Sequence, residues 1–252
     1  MTGNSVSSIV MAFEAFVVLH ILAGSVGLVS FWIPVLARKG SLPHRQWGRV
    51  FTTSMLVTGT AAIGISTFTL LDPLATHPHL QNAAWISGIF GWMMQGLALL
   101  TLNLAWYGHS CLINRNDHRR NLEWRNLGLQ VLLLATSINC LWQSLRIGEP
   151  IMLGMPGIGF ATVATNLWFM LKRRPQPNDW LKEHIKALVG AGISVYTAFF
   201  AFGAVRTIPT LALHPGLWSI PLITGLAIII YHRLQVDRGR IHATGGRRAS
   251  AG

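Results

Sequence analysis

The chain has 252 residues, of which 51% are hydrophobic and 11% are charged, and its formal net charge is +12. Soluble domains carry about 25% charged residues, so this composition excludes an ordinary soluble domain and indicates an integral membrane protein. The short alternating segments that build a transmembrane β-barrel do not occur in the sequence, and the spans are therefore expected to be α-helical.

Seven apolar runs are long enough to cross a bilayer, which needs about 20 residues per helix. They cover residues 9–37, 47–71, 83–107, 127–145, 151–171, 181–205 and 217–234. The predicted fold class is therefore all-α, a polytopic transmembrane helical bundle. We expect a single domain over residues 1–236 and a basic, flexible C-terminal tail over residues 237–252.

The basic residues are shared unequally between the two sides of the predicted bundle. With seven alternating helices, 18 of the 20 Lys and Arg residues fall on one side, and only Arg146 and Arg206 fall on the other. The positive-inside rule then predicts an outside N-terminus and a cytoplasmic C-terminus, in the cell inner membrane. Since topology explains the net charge, the lipid bilayer is the expected partner and nucleic acid is not.

His20 lies near the middle of the first apolar run. Gly24 and Gly27 follow on the same helical face and leave room for a neighbouring helix or a flat ligand. An ionisable side chain at membrane depth is expensive and is a functional candidate by default. The alternative is a packing histidine that hydrogen-bonds across a helix interface.

The second span opens with the segment PHRQWGR. Pro43 suits a first helical turn, and Ser41 is placed to cap it. Arg45 and Arg49 are one turn apart on one face. They are either a topology anchor or a clamp for an anionic group such as a haem propionate, because arginine pairs with carboxylates through two parallel hydrogen bonds.

Four further histidines belong to the predicted cytoplasmic side. They are His44, His109, His184 and His232. Their lateral convergence depends on helix packing, which the sequence does not reveal. In the predicted external loop, His77 and His79 form an HxH pair, for which an exposed, unliganded loop is expected because a metal site needs three or four ligands.

Polar amides also occur inside the spans. They are Gln95, Asn103, Gln130, Asn139, Gln143 and Asn166. Hydrogen bonds between helices are the simplest expectation for such residues. The same residues are compatible with the lining of a hydrated cavity.

Two blocks of residues resemble a family of bacterial predicted multi-pass membrane proteins of unknown function. The first block consists of His20, Gly24, Gly27, Lys39, Gly40 and an HRxxGR signature at His44, Arg45, Gly48 and Arg49. The second runs from His184 to the TAF segment at residues 197–199, with Leu188 where relatives often carry Met. The resemblance covers mainly the first two spans and the sixth. It implies a polytopic membrane protein and no established substrate.

Three functions are compatible with these features. The first is a redox protein that holds haem b, with His20, His44, His184, Arg45 and Arg49 as cofactor-binding residues and the same three histidines as haem or metal ligands. A quinone or a redox protein then serves as electron partner, and a homo-oligomer is compatible with the sequence. The alternatives are a small-solute or proton-linked transporter, with His20 as relay, and a non-catalytic assembly or sensory protein.

Hydrolase functions are disfavoured. The sequence contains neither the HExxH zinc motif nor a GxSxG nucleophile motif, and carboxylates are few. No catalytic residue is predicted.

Overall fold

The computed structural model describes residues 3–200 and 215–241. It is 87% helical, and no strand occurs within those ranges, which confirms the predicted all-α class. The helices are α1 (Gly3–Leu36), α2 (Leu42–Leu71), α3 (Pro73–Thr76), α4 (Ala83–Ile86), α5 (Met94–Ile113), α6 (Trp124–Ile147), α7 (Gly154–Met170), α8 (Asp179–Ala198) and α9 (Pro215–Asp237). A π-helical segment, Ser87–Met93, joins α4 to α5.

Six helical segments are long and apolar enough to cross a membrane. They are Ser7–Leu36, Leu42–Leu71, Ala83–Asn116, Trp124–Ile147, Pro150–Met170 and Ser219–Asp237. Each has 19 residues or more, close to or above the roughly 20 that a hydrocarbon core requires. The helices correspond to the first five and the last of the seven predicted spans, and they support the prediction of a membrane protein.

Helix α8 is not among these six segments. Its first two turns carry four charged side chains, Asp179, Lys182, Glu183 and Lys186, which lower its hydropathy. The predicted sixth span continues to residue 205, and its last part, 201–205, lies outside the described residues. The sixth predicted span, and with it the total of seven, therefore stays a prediction. The orientation of the termini and the tail over 237–252, of which only the first residues are described, stay predictions too.

The connection between α1 and α2 has the predicted cap. The backbone N–H of His44 donates to the Ser41 side chain at 3.4 Å, and proline occupies the first turn of α2. Gly40 has a φ of +78°, a left-handed conformation that glycine adopts without steric cost. This tight turn brings the first turn of α2 against the end of α1.

Helix α5 lies at the centre of the bundle. It packs against α2, α6, α7 and α8, while α1 lies on α2 and α9 lies on α8. Tyr107 of α5 is fully buried. Gly27 of α1 packs directly against the Met55 side chain of α2. The space beside this glycine is therefore filled by a neighbouring helix.

Candidate functional site

A cavity of about 640 Å³ lies where five helices approach one another. Its walls come from the end of α1, the turn into α2, the starts of α2 and α8, and the ends of α5 and α9. The basic side chains that line it are Lys39, His44, Arg45, Arg49, His109, Arg115, His184 and His232. No aspartate or glutamate is present among the described lining residues. This basic cavity is electropositive and therefore suits an anionic ligand.

His44 enters the basic cavity from the first turn of α2. Its Nδ1 atom lies 3.0 Å from the carbonyl oxygen of Pro34. A carbonyl oxygen only accepts hydrogen bonds, so Nδ1 carries the proton and Nε2 presents a lone pair. Within the described residues, Nε2 of His44 makes no hydrogen bond. The ring is thus oriented and keeps one nitrogen for a ligand.

His184 reaches the basic cavity from α8, and its ring carries its proton on the same nitrogen as the ring of His44. Its Nδ1 atom lies 2.8 Å from the carbonyl oxygen of Gly108 on α5, which again leaves the Nε2 lone pair without a described hydrogen bond. Histidines that bind metals are usually held this way, with the other ring N–H donated to a carbonyl or carboxylate. His44, His109 and Lys39 lie near enough to act on His184 electrostatically.

The pairing of α8 with α5 is strengthened beside His184. The hydroxyl of the buried Tyr107 donates to Glu183 Oε2 at 3.0 Å, and the Lys186 ammonium lies 2.5 Å from the same oxygen. Glu183 is 8% exposed, so this carboxylate is largely removed from solvent. These contacts fix the rotation of α8 and thereby the direction of the His184 side chain.

Lys39 has two roles at the cavity wall. Its Nζ donates to the carbonyl oxygens of Pro34 at 2.8 Å and of Val35 at 2.6 Å, which satisfies carbonyls that the last turn of a helix leaves unpaired. Burial lowers the pKa of Lys39 to about 8. The ammonium is therefore mostly charged at neutral pH and loses its charge in mildly alkaline solution.

His109 and His232 complete the set of histidines. His109 lies near enough to Arg49 for the two side chains to interact electrostatically. The Nδ1 atom of His232 is buried and has no hydrogen-bond partner within the described part of the chain. An unpartnered buried nitrogen in the wall of a cavity is a group that a ligand can satisfy.

His20, the first predicted site residue, is not among the residues that line the basic cavity. Its Nδ1 atom lies 3.1 Å from the carbonyl oxygen of Thr58 on α2. Pro34, which lines the cavity, is fourteen residues further along α1, or about 21 Å at 1.5 Å per residue. Of the two interpretations that the sequence leaves open, this contact supports the packing histidine.

No three His, Cys, Asp or Glu side chains within the described ranges are placed to hold one metal ion. His20, His44 and His184 thus do not form a common metal-ion centre. A haem needs only one or two imidazoles, so this finding does not bear against haem. The His77 ring, in the loop predicted to be external, is packed, because it stacks on Phe90 at a centroid distance of 4.6 Å.

Several cavity residues were not predicted as site residues from the sequence. Arg115 counts there only among the basic residues that predict the topology, and Lys39 counts among them and in the resemblance. Phe31 and Phe51 are not singled out, although all four residues line the cavity. Their shared placement on one predicted side was the available signal for the two cations. For the two phenylalanines no signal exists, since an apolar residue within a span looks the same whether it faces lipid or a ligand.

Comparisons of the chain with known protein families, with curated proteins and with solved structures gave no match. The resemblance carried by His20, by the HRxxGR signature and by the His184 block therefore stays a prediction from those residues.

Proposed function

We propose that this chain is a haem b-binding, redox-linked protein of the cell inner membrane, with His44 and His184 as the haem ligands. The observation that carries the proposal is that two histidines line one cavity and make the same kind of hydrogen bond there. Each has its Nδ1 held by a backbone carbonyl and its Nε2 without a described hydrogen bond. Haem iron takes one or two imidazole ligands, and His44 and His184 would supply them from two different helices.

The remaining walls of the basic cavity suit the rest of a haem. Phe31, Phe51 and Leu112 supply apolar surface for a flat ring system. Arg45 and Arg49 supply guanidinium groups for propionates. The cavity volume of about 640 Å³ falls within the 300–1,000 Å³ typical of small-molecule and cofactor sites.

The residues of this chain would bind, orient and tune the cofactor. Bound haem supplies one-electron transfer. His44 and His184 would hold the iron, and the Pro34 and Gly108 carbonyls, which fix their tautomers, would raise the basicity of the two rings. The excess of positive charge around the cavity favours the electron-rich state of any group bound there, because that state carries more negative charge. A quinone or a redox protein is the proposed electron partner.

We further propose the seven-span arrangement, with the N-terminus outside and the cavity at the cytoplasmic end. The basis is that Lys39, Arg45, Arg49 and Arg115, which the positive-inside rule assigns to the cytoplasm, all line the one cavity. Helix α8, which begins at the same cavity and packs between α5 and α9, is then the sixth span. Cysteine accessibility at position 115 against position 146 in right-side-out vesicles tests this arrangement: protection of position 115 alone is expected.

The haem proposal is tested on the full chain, purified from cells supplied with haem. A Soret band is expected in the wild type, with strong loss in His44→Ala and His184→Ala. His20→Ala is the matched control, since His20 is also a helix-packing histidine bonded to a carbonyl but lies outside the cavity. A colourless, folded wild-type protein would contradict the proposal, as would a band that depends on His20 and not on His184.

Transport and assembly stay predictions of the sequence. The relay proposed for transport is His20, which makes its hydrogen bond to the backbone of α2 and does not line the basic cavity.

A further inference from the structure

Three amide side chains meet in the interior of the bundle, on helices α5, α6 and α7. Asn103 and Asn166 are 0% exposed and Gln130 is 2% exposed. The Asn166 Nδ2 group donates to Asn103 Oδ1 at 3.1 Å and to Gln130 Oε1 at 3.4 Å. These bonds agree with the inter-helix contacts expected of amides inside spans. We call the three residues the amide triad.

The bonds within the amide triad leave one end of each amide without a partner. Asn103 Nδ2, Gln130 Nε2 and Asn166 Oδ1 are buried and make no hydrogen bond within the described residues. Each amide carries two donor hydrogens and an acceptor oxygen, so a large share of its capacity is unused. Buried polar groups in proteins are almost always satisfied by protein or by ordered water.

The pattern of unused groups selects the kind of ligand. As assigned, the ligand must accept hydrogen bonds from two NH₂ groups and donate one to an oxygen. Amide oxygens and nitrogens are assigned from the hydrogen-bond network. If all three amides are reversed, the same internal bonds form and the ligand must donate to two oxygens and accept from one NH₂ group. A simple anion cannot donate to the oxygen in the first pattern, and a metal cation cannot accept from the NH₂ group in the second.

We propose that the amide triad binds one water molecule. Water both donates and accepts two hydrogen bonds, so it satisfies three unpartnered amide ends in either assignment, and buried waters typically make about three hydrogen bonds. The site is separate from the basic cavity, since none of the three residues lines that cavity and neither α6 nor α7 contributes to its wall. The bound water joins three helices at membrane depth, where lipid offers no alternative hydrogen bond.

The first test is infrared spectroscopy of the full chain in lipid nanodiscs. A buried water gives an O–H stretching band that shifts when H₂¹⁶O is exchanged for H₂¹⁸O, and this band is expected to disappear in Asn166→Leu. Gln143→Leu is the matched control, because Gln143 is an amide on α6 that is only half-buried and stands outside the triad. Retention of the full band in Asn166→Leu, or its equal loss in both variants, would overturn the proposal.

A second measurement does not depend on the folding of a variant. A structure of the wild-type chain at about 2 Å resolution is expected to show a single density peak within hydrogen-bond distance, about 2.7–3.2 Å, of all three amides. Well-ordered amides with no such peak, each end instead paired with another protein group, would show that the site is dry.

Discussion

The carbonyl oxygen of Gly108 lies 2.8 Å from Nδ1 of His184, and this contact joins the two helices that matter most for the basic cavity. Gly108 has no side chain, which lets α8 approach α5 closely enough for the bond. A Cβ atom at position 108 would lie 3.0 Å from Ala187 Cβ and from Leu188. The glycine therefore decides both how closely α8 packs and which nitrogen of His184 remains for a ligand.

Gly108→Ala is expected to destabilise the protein and to weaken haem retention together. The added methyl carbon would lie closer to Ala187 and Leu188 than ordinary van der Waals contact allows. Overpacking of this kind costs about 1–3 kcal/mol of stability. Thermal unfolding in detergent and the Soret absorbance per protein are the measurements.

Gly128→Ala is the control for this substitution. A Cβ there meets nothing within 4 Å, so the helix gains roughly 0.5–1 kcal/mol from the better helix former. Equal behaviour of the two alanine variants would show that close α5–α8 packing is unimportant.

The arginines of the HRxxGR signature are expected to matter for the ligand more than for the fold. Arg49→Gln removes one positive charge from the cavity wall and should increase haem loss several-fold, because a guanidinium–carboxylate pair is lost. Haem transfer to a soluble haem acceptor measures the rate.

Arg146→Gln provides the matched comparison, since Arg146 lies at the end of α6, is exposed and does not line the cavity. It should leave the rate unchanged. If both variants lose haem at the wild-type rate, Arg49 is only a topology anchor.

The pKa of Lys39 predicts a pH dependence of stability. Burial lowers this pKa to about 8 from 10.5, so between these values the unfolded chain binds more protons than the folded protein. Stability then rises with pH from about 8 to about 10.5, and this contribution is absent below pH 8. Thermal unfolding across pH 7–10.5 measures it.

In Lys39→Met the contribution from Lys39 disappears, so the difference in melting temperature between wild type and variant should change over that window in favour of the wild type. A difference that stays constant with pH would contradict the lowered pKa.

The Tyr107–Glu183 contact is expected to support the fold near the site. Tyr107→Phe removes a hydroxyl that donates to a buried carboxylate at 3.0 Å, a loss of about 1–3 kcal/mol. Tyr231→Phe should cost almost nothing, since Tyr231 is 59% exposed. The measurement is the unfolding midpoint of each variant, which is expected to be lower for Tyr107→Phe than for Tyr231→Phe. Similar midpoints would show that the buried contact contributes little to stability.

Much of the architecture could be predicted from the sequence, because it depends on local and one-dimensional signals. Apolar run length predicts the spans, and the Ser41 cap with Pro43 follows from residue types at the start of α2. The separation of His20 from His44 along the membrane normal follows from helical rise alone.

The lateral arrangement of the helices could not be predicted in the same way. His44, His109, His184 and His232 line one cavity only because α2, α5, α8 and α9 pack around it, and that packing is decided by contacts between distant residues such as Gly108 and Ala187. Gly24 and Gly27 illustrate the same limit. A helix face of small residues next to a histidine is equally consistent with a bound ligand and with a closely packed neighbouring helix.

The most direct test of the central claim is electron paramagnetic resonance of the oxidised, haem-loaded full chain. Ligation by His44 and His184 predicts a low-spin ferric signal in the wild type and in His20→Ala. The smaller amount of haem that His44→Ala and His184→Ala retain is expected to give a high-spin signal. A high-spin wild-type signal, or a low-spin signal that survives in both cavity variants, would contradict the assignment of His44 and His184 as the haem ligands.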